Sequence, residues 1–138
     1  MQAVQIGVGM QVVCIVLPLL DLWLFGSVER HVQTAYPNWS ATEIASDQTA
    51  IHSYLVAAGI LGLLAWLGAL WAIGRTWHAR ATITTLFVVG TVFGITNAGL
   101  GGDAYPTIVP LWLGITLLCI PLLPGLTALL SVWRRSGR

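Results

Sequence analysis

The sequence predicts an all-α integral membrane protein, a bundle of four transmembrane helices forming one domain over residues 1–138. Two features of composition indicate this. Hydrophobic residues make up 57% of the chain and charged residues only 8%, whereas soluble domains usually carry about 25% charged residues. A soluble chain of this length could not bury so much apolar surface, because too little of a small domain is interior. The third feature is that the apolar residues fall into four long stretches.

These stretches occupy residues 4–27, 50–73, 81–100 and 107–131. A helix needs about 20 residues to cross the hydrocarbon core, and each stretch is long enough. Because the apolar runs are continuous rather than alternating, they predict helices and not the strands of a barrel. The first stretch lacks the basic leading segment of a signal peptide, so we interpret it as a span.

Arginines set the predicted orientation. Arg75 and Arg80 lie in the short loop between the second and third stretches, and Arg134, Arg135 and Arg138 close the chain. The positive-inside rule places both segments in the cytoplasm, and four spans then place the N-terminus there too. The chain has no lysine, and this arginine-only composition indicates a bacterial protein. We therefore expect a multi-pass protein of the bacterial inner membrane with both termini cytoplasmic.

The longest predicted loop, residues 28–49, lies outside in this orientation. Its second half contains a helix start signal, since Ser40 is followed three residues later by Glu43 in a capping-box pattern. Trp39 precedes the cap, at the position from which a hydrophobic staple is made. We expect a helix that begins near Ser40 and continues without a break into the second span.

Small residues mark candidate helix contacts, because they let backbones approach closely in lipid. The second span has one face of them at spacings of four and three, formed by Ala58, Gly62, Ala65, Ala69 and Ala72. The third span has a GxxxG pattern at Gly90 and Gly94. We expect both faces to pack the protein against itself. The alternative is that one of them is the interface of a homo-oligomer.

Asp21 is the residue that most strongly indicates function, because an acid within a span is costly and usually faces the bundle interior. It follows Gln11, Cys14 and Pro18 at spacings of three, four and three, so the four share one helix face. We expect that face to point inward. Two structural interpretations stay open: Asp21 is hydrated near the headgroups, or it caps a neighbouring helix.

Further polar residues are predicted near the depth of Asp21, at the outer end of the bundle. The candidate catalytic groups are Asp21, His52 and Glu29. The candidate substrate-binding residues are Gln11, Gln48, Tyr54, Asn97, Asp103 and Tyr105. A polar cluster that opens outward between helices is typical of a small-molecule site. For His52 and Asp103 the simpler alternatives are a satisfied helix-end histidine and a solvated loop acid.

Neither a metal nor a cofactor is predicted. Glu29, His31, Glu43, Asp47 and His52 have side chains that can ligate metals, but no HxH, HxxxH or HExxH spacing joins them. The sequence has no nucleophile elbow, phosphate loop or dinucleotide motif, so we expect no cofactor. A net charge of +1, without a basic patch outside the chain ends and one short loop, gives no sign of a nucleic-acid partner.

One segment resembles a known family. Gln48 to Gly59, which reads QTAIHSYLVAAG, is similar to the second span of small bacterial four-helix membrane proteins classed as domain of unknown function 1304. That family has an NQG…Y…FLAAGL pattern there; Asp47 and Gln48 replace its Asn-Gln pair, and Thr49 replaces its glycine. The resemblance implies a four-helix architecture and no activity. The layout is also similar to that of the sterol-isomerase and sigma-2-receptor superfamily, which implies buried acids acting on or binding lipophilic molecules.

These patterns favour an intramembrane site that takes a lipophilic small molecule and isomerises or cyclises it. Asp21 and His52 would transfer the protons, since a carboxyl group kept protonated in an apolar cavity can act as a general acid. One alternative is a small oligomeric transporter or channel, coupled to protons or ions through Asp21. Another is an accessory subunit of a larger membrane complex. The expected partners are membrane lipid, the lipophilic molecule and a second copy of the chain.

Overall fold

A computed structural model describes residues 2–75 and 78–134. In chain order the helices are α1 (Gln2–Leu20), a π-helical turn (Asp21–Phe25), α2 (Ser27–Ala35), α3 (Ala41–Ile73), α4 (Ala79–Gly99) and α5 (Leu111–Arg134). Four segments are long and apolar enough to cross a membrane: α1 with the π-helical turn, α3, α4 and α5. The prediction of an all-α membrane protein with four spans is therefore confirmed. Arg135 and Arg138, which contribute to the predicted orientation, lie outside the described residues.

Two apolar clusters show that the four long helices run alternately up and down. One cluster joins α2 to the beginnings of α3 and α5, and contains Val28, Val32, Ile51, Leu55, Tyr105, Val109 and Leu113. The other joins the beginnings of α1 and α4 to the ends of α3 and α5, and contains Val4, Ala69, Ile83 and Ala128. The bundle is thus closed by packed side chains at both ends.

Charge separates the two ends. All five acidic residues lie at or beside the end with the first cluster, here called the acidic end: Asp21, Glu29, Glu43, Asp47 and Asp103. The other end, here called the arginine end, carries Arg75, Arg80 and Arg134. Arg30, on α2, is the one arginine of the described chain that lies at the acidic end. This is the separation of signs on which the predicted orientation depends.

The start of α3 agrees with the sequence. Ser40 is its N-cap: the Oγ of Ser40 accepts from the Glu43 backbone N–H at 3.3 Å, and the Glu43 carboxylate accepts from the Ser40 N–H at 2.7 Å. The helix then continues for 33 residues without a break. Trp39 and Ile44 both pack against the apolar cluster of the acidic end, as a staple pair should.

The first half of the predicted loop at 28–49 is also mostly helical, which is a correction. It forms α2, whereas the helical second half, which is the start of α3 from Ala41 onward, is as expected. The sequence signal for α2 is weak because the helix has only nine residues and buries only Val28 and Val32. Such a short amphipathic helix is stabilised by packing rather than by its own propensity.

A local distortion directs the chain from α1 into α2. Pro18 has no N–H to donate and its ring crowds the preceding turn, so the helix cannot continue regularly. It widens into the π-helical turn, and the N–H of Gly26 donates to the carbonyl of Asp21 at 2.7 Å. Gly26 has a φ of 58°, a left-handed conformation that favours glycine. The turn thus places Asp21 beside the first residues of α2.

The long helices are packed unevenly. α1 lies against both α3 and α5, and α4 packs mainly on α5. Close approaches mark these contacts: Gly62 of α3 lies against Gln11 of α1, and Gly94 of α4 lies against Leu118 of α5. Within α4, whose residues are all described, only Ile83 is buried. Among the long helices that follow one another in the chain, α3 and α4 make the loosest contact.

Candidate functional site

A cavity of about 380 Å³ lies between the four long helices. Small residues form much of its wall on two sides, with Ala58, Gly62, Ala65 and Ala69 from α3 and Gly90, Gly94 and Ala98 from α4. These are the faces that the sequence predicts as helix contacts. Gly62 and Gly94 do make such contacts, whereas a Cβ at Gly90 would have no neighbour within 4 Å. The small side chains therefore leave space as well as allow contact.

The cavity is elongated along the helices. Ala69 and Ile83 line it at the arginine end, and Leu55 and Val109 line it at the acidic end. From Leu55 to Ala69 α3 advances by about 21 Å, at 1.5 Å per residue. Its opening lies between α3 and α4, where the lining residues Leu61 and Val89 are 63% and 58% exposed. If the four segments cross a bilayer, this opening faces hydrocarbon rather than water.

Gln11 is the most buried polar side chain of the lining, with 6% of its surface exposed. Its Nε2 donates to the carbonyl of Gly59 at 3.1 Å. A Cβ at position 62 would lie 2.5 Å from this Nε2, so the glycine makes room for the amide. No residue of the described chain donates a hydrogen bond to the Oε1 of Gln11.

Asn97 is the second predicted site residue in the lining, and both ends of its side chain have a hydrogen-bond partner. Its Oδ1 accepts from the hydroxyl of Tyr54, and its Nδ2 donates to the carbonyl of Phe93 at 2.7 Å. The structure thus brings Tyr54 and Asn97 together, as predicted. Their bond joins α3 to α4 across the acidic end of the opening.

Asp21 is completely buried, and it caps α2. Its Oδ1 accepts from the backbone N–H of Ser27 at 3.0 Å and also from the Ser27 hydroxyl. Its Oδ2 accepts from the backbone N–H of Val28 at 3.0 Å. The first N–H groups of a helix lack partners within the helix, and a carboxylate there is favoured by the helix dipole. Of the interpretations left open by the sequence, the structure shows the helix cap.

His52 lies beside Asp21 and is 4% exposed. Its Nδ1 is 2.8 Å from the carbonyl of Gln48, which can only accept, so Nδ1 donates. Its Nε2 is 3.4 Å from the Oδ2 of Asp21 and has no hydrogen-bond partner among the described residues. With a proton on Nδ1, the Nε2 of His52 and the Oδ2 of Asp21 are both acceptors unless one of them carries a proton, so one proton between them makes the contact attractive. The contact is a buried histidine–carboxylate pair.

The predicted face of α1 is correct. Gln11, Cys14, Pro18 and Asp21 are all buried, while their neighbours at positions 12, 13, 19 and 20 are exposed. The residues of this face nevertheless lie in two different environments. Gln11 and Cys14 line the cavity, whereas Asp21 meets α2 and His52 outside the lining.

The other predicted site residues lie apart from the cavity. Glu29 is on the exposed side of α2, where its carboxylate accepts from Gln33 at 3.1 Å. Gln48 meets His52 through its backbone carbonyl. Asp103 accepts from the hydroxyl of Tyr36 at 2.6 Å.

Tyr105 completes the acidic end. It is buried against the first cluster, and its hydroxyl donates to Asp47 at 2.5 Å. Burial, together with this hydrogen bond, raises the pKa of Tyr105. The hydrogen bond to Asp103 raises the pKa of Tyr36. The ring of Tyr105 also stacks on His31, whose Nε2 is 2.6 Å from the carbonyl of Thr107.

The nine predicted residues therefore do not form the single outward-opening polar pocket expected from the sequence. They divide into three groups. Gln11 and Asn97 line the cavity, and Tyr54 is bonded to Asn97. Asp21 and His52 form the buried pair, with the Gln48 carbonyl beside His52. The remaining three lie at the acidic end of the bundle: Glu29, Asp103 and Tyr105. The physical reason is that the residues differ in their depth along the bundle and in the rotation of the helices that carry them. Residues at the same depth can therefore face different sides of their helices.

Several residues of these sites were not predicted. Trp66 lines the cavity and lies against Gly7, and Ser27 supplies two of the donors to Asp21. The Gly26-Ser27 pair after an intramembrane acid was a usable signal for a capped turn. Trp66 had none, because an aromatic residue in an apolar span is ordinarily a packing or lipid-facing residue.

Within the ranges 2–75 and 78–134, no group of three or more His, Cys, Asp or Glu side chains could hold a metal ion. Comparison with known proteins found no family model, no curated protein and no solved structure that matches this chain. The resemblance of Gln48 to Gly59 to the domain of unknown function 1304 family stays a prediction.

Proposed function

We propose that this multi-pass membrane protein binds a lipophilic molecule in the cavity between its four long helices. The observation that carries this function is the cavity itself: an apolar space of about 380 Å³ that all four candidate spans line. Ligand sites are commonly concave, mostly apolar and a few hundred Å³ or more in volume. The opening between α3 and α4 supplies a lateral route for a molecule dissolved in the bilayer.

Binding from lipid needs a driving force other than the hydrophobic effect, because lipid tails are as apolar as the cavity wall. An unfilled void deprives its lining of dispersion contacts on one side. A molecule that fills the cavity would restore those contacts for lining side chains such as Trp66 of α3 and Phe87 of α4. Shape therefore selects the occupant, together with the few polar atoms of the lining.

The proposed function is binding without a reaction. Asp21, His52 and Glu29, the candidate acid–base groups, do not line the cavity, and Asp21 is engaged as a helix cap. Isomerisation by these residues, ion coupling through Asp21 and an accessory role in a larger complex all stay predictions from the sequence. No contact among the described residues favours one of them over binding.

The test uses Gly90 as a plug site. A leucine at Gly90 can enter the cavity, because Gly90 lines it and a Cβ there meets nothing within 4 Å. Gly9 of α1 is the matched control, since it is equally open but lies outside the lining. Binding is measured in nanodiscs as quenching of tryptophan fluorescence by a bromododecane probe, with unlabelled dodecane as competitor.

Wild type and Gly9→Leu should show saturable quenching, and Gly90→Leu should weaken it at least tenfold. Trp66→Phe should remove the saturable component, because Trp66 is the one tryptophan among the described residues that lines the cavity. Quenching of wild type that never saturates would refute the proposed binding. Saturable quenching that Gly90→Leu leaves unchanged, in a folded protein, would place the site elsewhere.

A further inference from the structure

We infer that the molecule bound in the cavity is a long-chain lipophile with a hydroxyl group, which donates a hydrogen bond to the Oε1 of Gln11. This assignment rests on the binding function proposed above and names the chemical class of the ligand. It is carried by an acceptor atom without a partner, on a buried side chain in the wall of the cavity, and by the length of the cavity.

The orientation of the Gln11 amide is fixed by its neighbour. Nε2 donates to the Gly59 carbonyl at 3.1 Å. Exchanging the oxygen and nitrogen would bring two acceptors together, so the Oε1 must be the atom directed away from Gly59. The side chain is 6% exposed, and none of the described residues donates to this oxygen. An acceptor that faces an apolar cavity without a partner is costly, so a donor on the ligand is favoured there.

Asn97 cannot take this role, although it is the other amide of the lining. Both ends of its side chain already have partners, Tyr54 at Oδ1 and Phe93 at Nδ2. Cys14, one turn from Gln11 on the same face, offers only a weak S–H donor and a weak acceptor. Gln11 therefore presents the strongest free acceptor among the three.

The length of the cavity suits an extended molecule. Its lining runs for about 21 Å along α3, from Leu55 to Ala69. A hydrocarbon chain that lies along the helices follows this length.

The position of Gln11 sets the direction of the chain. Gln11 binds α3 at Gly59, near the acidic end, and from Gly59 to Ala69 the cavity continues for about 15 Å toward the arginine end. This lower part is lined by apolar side chains, among them Ala65 and Trp66. The hydroxyl group would thus lie near the acidic end, with the hydrocarbon chain extended toward Ala69.

The experiment compares three competitors of the bromododecane probe on the wild-type protein: 1-dodecanol, its methyl ether and dodecane. Amounts are expressed as mole fraction in the nanodisc bilayer, so that partitioning does not enter. The alcohol can donate a hydrogen bond, the ether can only accept one and the alkane does neither. We expect the alcohol to compete about fivefold more strongly than the ether, as one neutral hydrogen bond allows. Gln11→Leu should abolish that difference while the alkane still competes.

The outcomes separate the two claims. Equal competition by alcohol and ether, with alkane binding intact, would overturn the hydroxyl assignment and leave the binding function standing. An alcohol preference that survives Gln11→Leu would overturn the role of Gln11. Failure of all three competitors would remove the binding function and this inference with it. If Gln11→Leu does not fold, the comparison of alcohol and ether on the wild-type protein decides.

Discussion

Asp21 and His52 face each other across the contact between the first and second spans, with the carboxylate Oδ2 3.4 Å from the imidazole Nε2. The same carboxylate caps α2 through Ser27 and Val28. One buried acid therefore joins three helices. These structural contacts account for an acid within a span without a catalytic role. Variants of the pair can therefore separate a structural role of Asp21 from a functional one.

Asp21→Asn should destabilise the protein by about 3 kcal/mol, because it breaks a buried histidine–carboxylate pair. The cap itself should be affected less, since asparagine caps helices nearly as well as aspartate. Unfolding in detergent gives the value. Glu29→Gln is the control, because Glu29 is exposed and should be nearly neutral.

The pair can be isolated by adding His52→Gln. Two residues in contact are expected to couple by about 0.5–3 kcal/mol, so the double variant should lose less stability than the two single losses combined. Additive losses would mean that Asp21 and His52 do not form the ion pair. A loss of activity or transport by Asp21→Asn beyond its loss of stability would instead support the proton-transfer role predicted from the sequence.

Gly62 lies in a packed helix contact and Gly90 lies beside open space, so replacing each with alanine should change the stability in opposite directions. Gly62→Ala should destabilise by about 1–3 kcal/mol, since the new Cβ would lie 2.5 Å from the Gln11 amide in a packed contact. Gly90→Ala should be neutral or stabilising by up to about 1 kcal/mol, because alanine is the better helix former and meets no neighbour. Thermal unfolding of both variants makes the comparison. Similar effects at both positions would mean that the third span is rotated relative to the structure described here.

Tyr36 should ionise above its ordinary pKa of 10, because its hydroxyl donates to the Asp103 carboxylate. The native state then keeps a proton that the unfolded chain has lost, so the stability from this bond falls as pH rises above 10. Absorbance of tyrosinate measures the titration, and Tyr36→Phe identifies the group. Asp103→Asn should move the pKa of Tyr36 back toward 10. A Tyr36 pKa that Asp103→Asn leaves unchanged would show that the bond does not form in solution.

The predicted orientation places the acidic end outside the cell. A cysteine at Thr34, which is exposed on α2, should react with an impermeant maleimide added to intact cells. One at Gly74, which is exposed beside Arg75 at the arginine end, should react only after the membrane is opened. The reverse pattern would invert the topology, and the proposed cavity would be unaffected, since it opens between helices.

The sequence by itself determined the features that depend on neighbours along the chain. About 20 apolar residues in a row specify a span wherever it packs, and the four spans are present as predicted. The capping box of Ser40 and Glu43 begins α3 because both partners lie within one turn. Helical periodicity also identified the buried face of α1, including Gln11 and Asp21.

The tertiary structure decided what those faces meet. Periodicity states that Gln11 and Asp21 share a face, but it does not state that one meets Gly59 beside a cavity and the other meets His52 and α2. Nor does it distinguish Gly62, in contact, from Gly90, beside empty space. The physical reason is that contacts between distant segments depend on the rotation and depth of whole helices. In this bundle the packing of α1 on α3 and α5 and the looser packing of α3 on α4 set both, and neither is encoded within a single span.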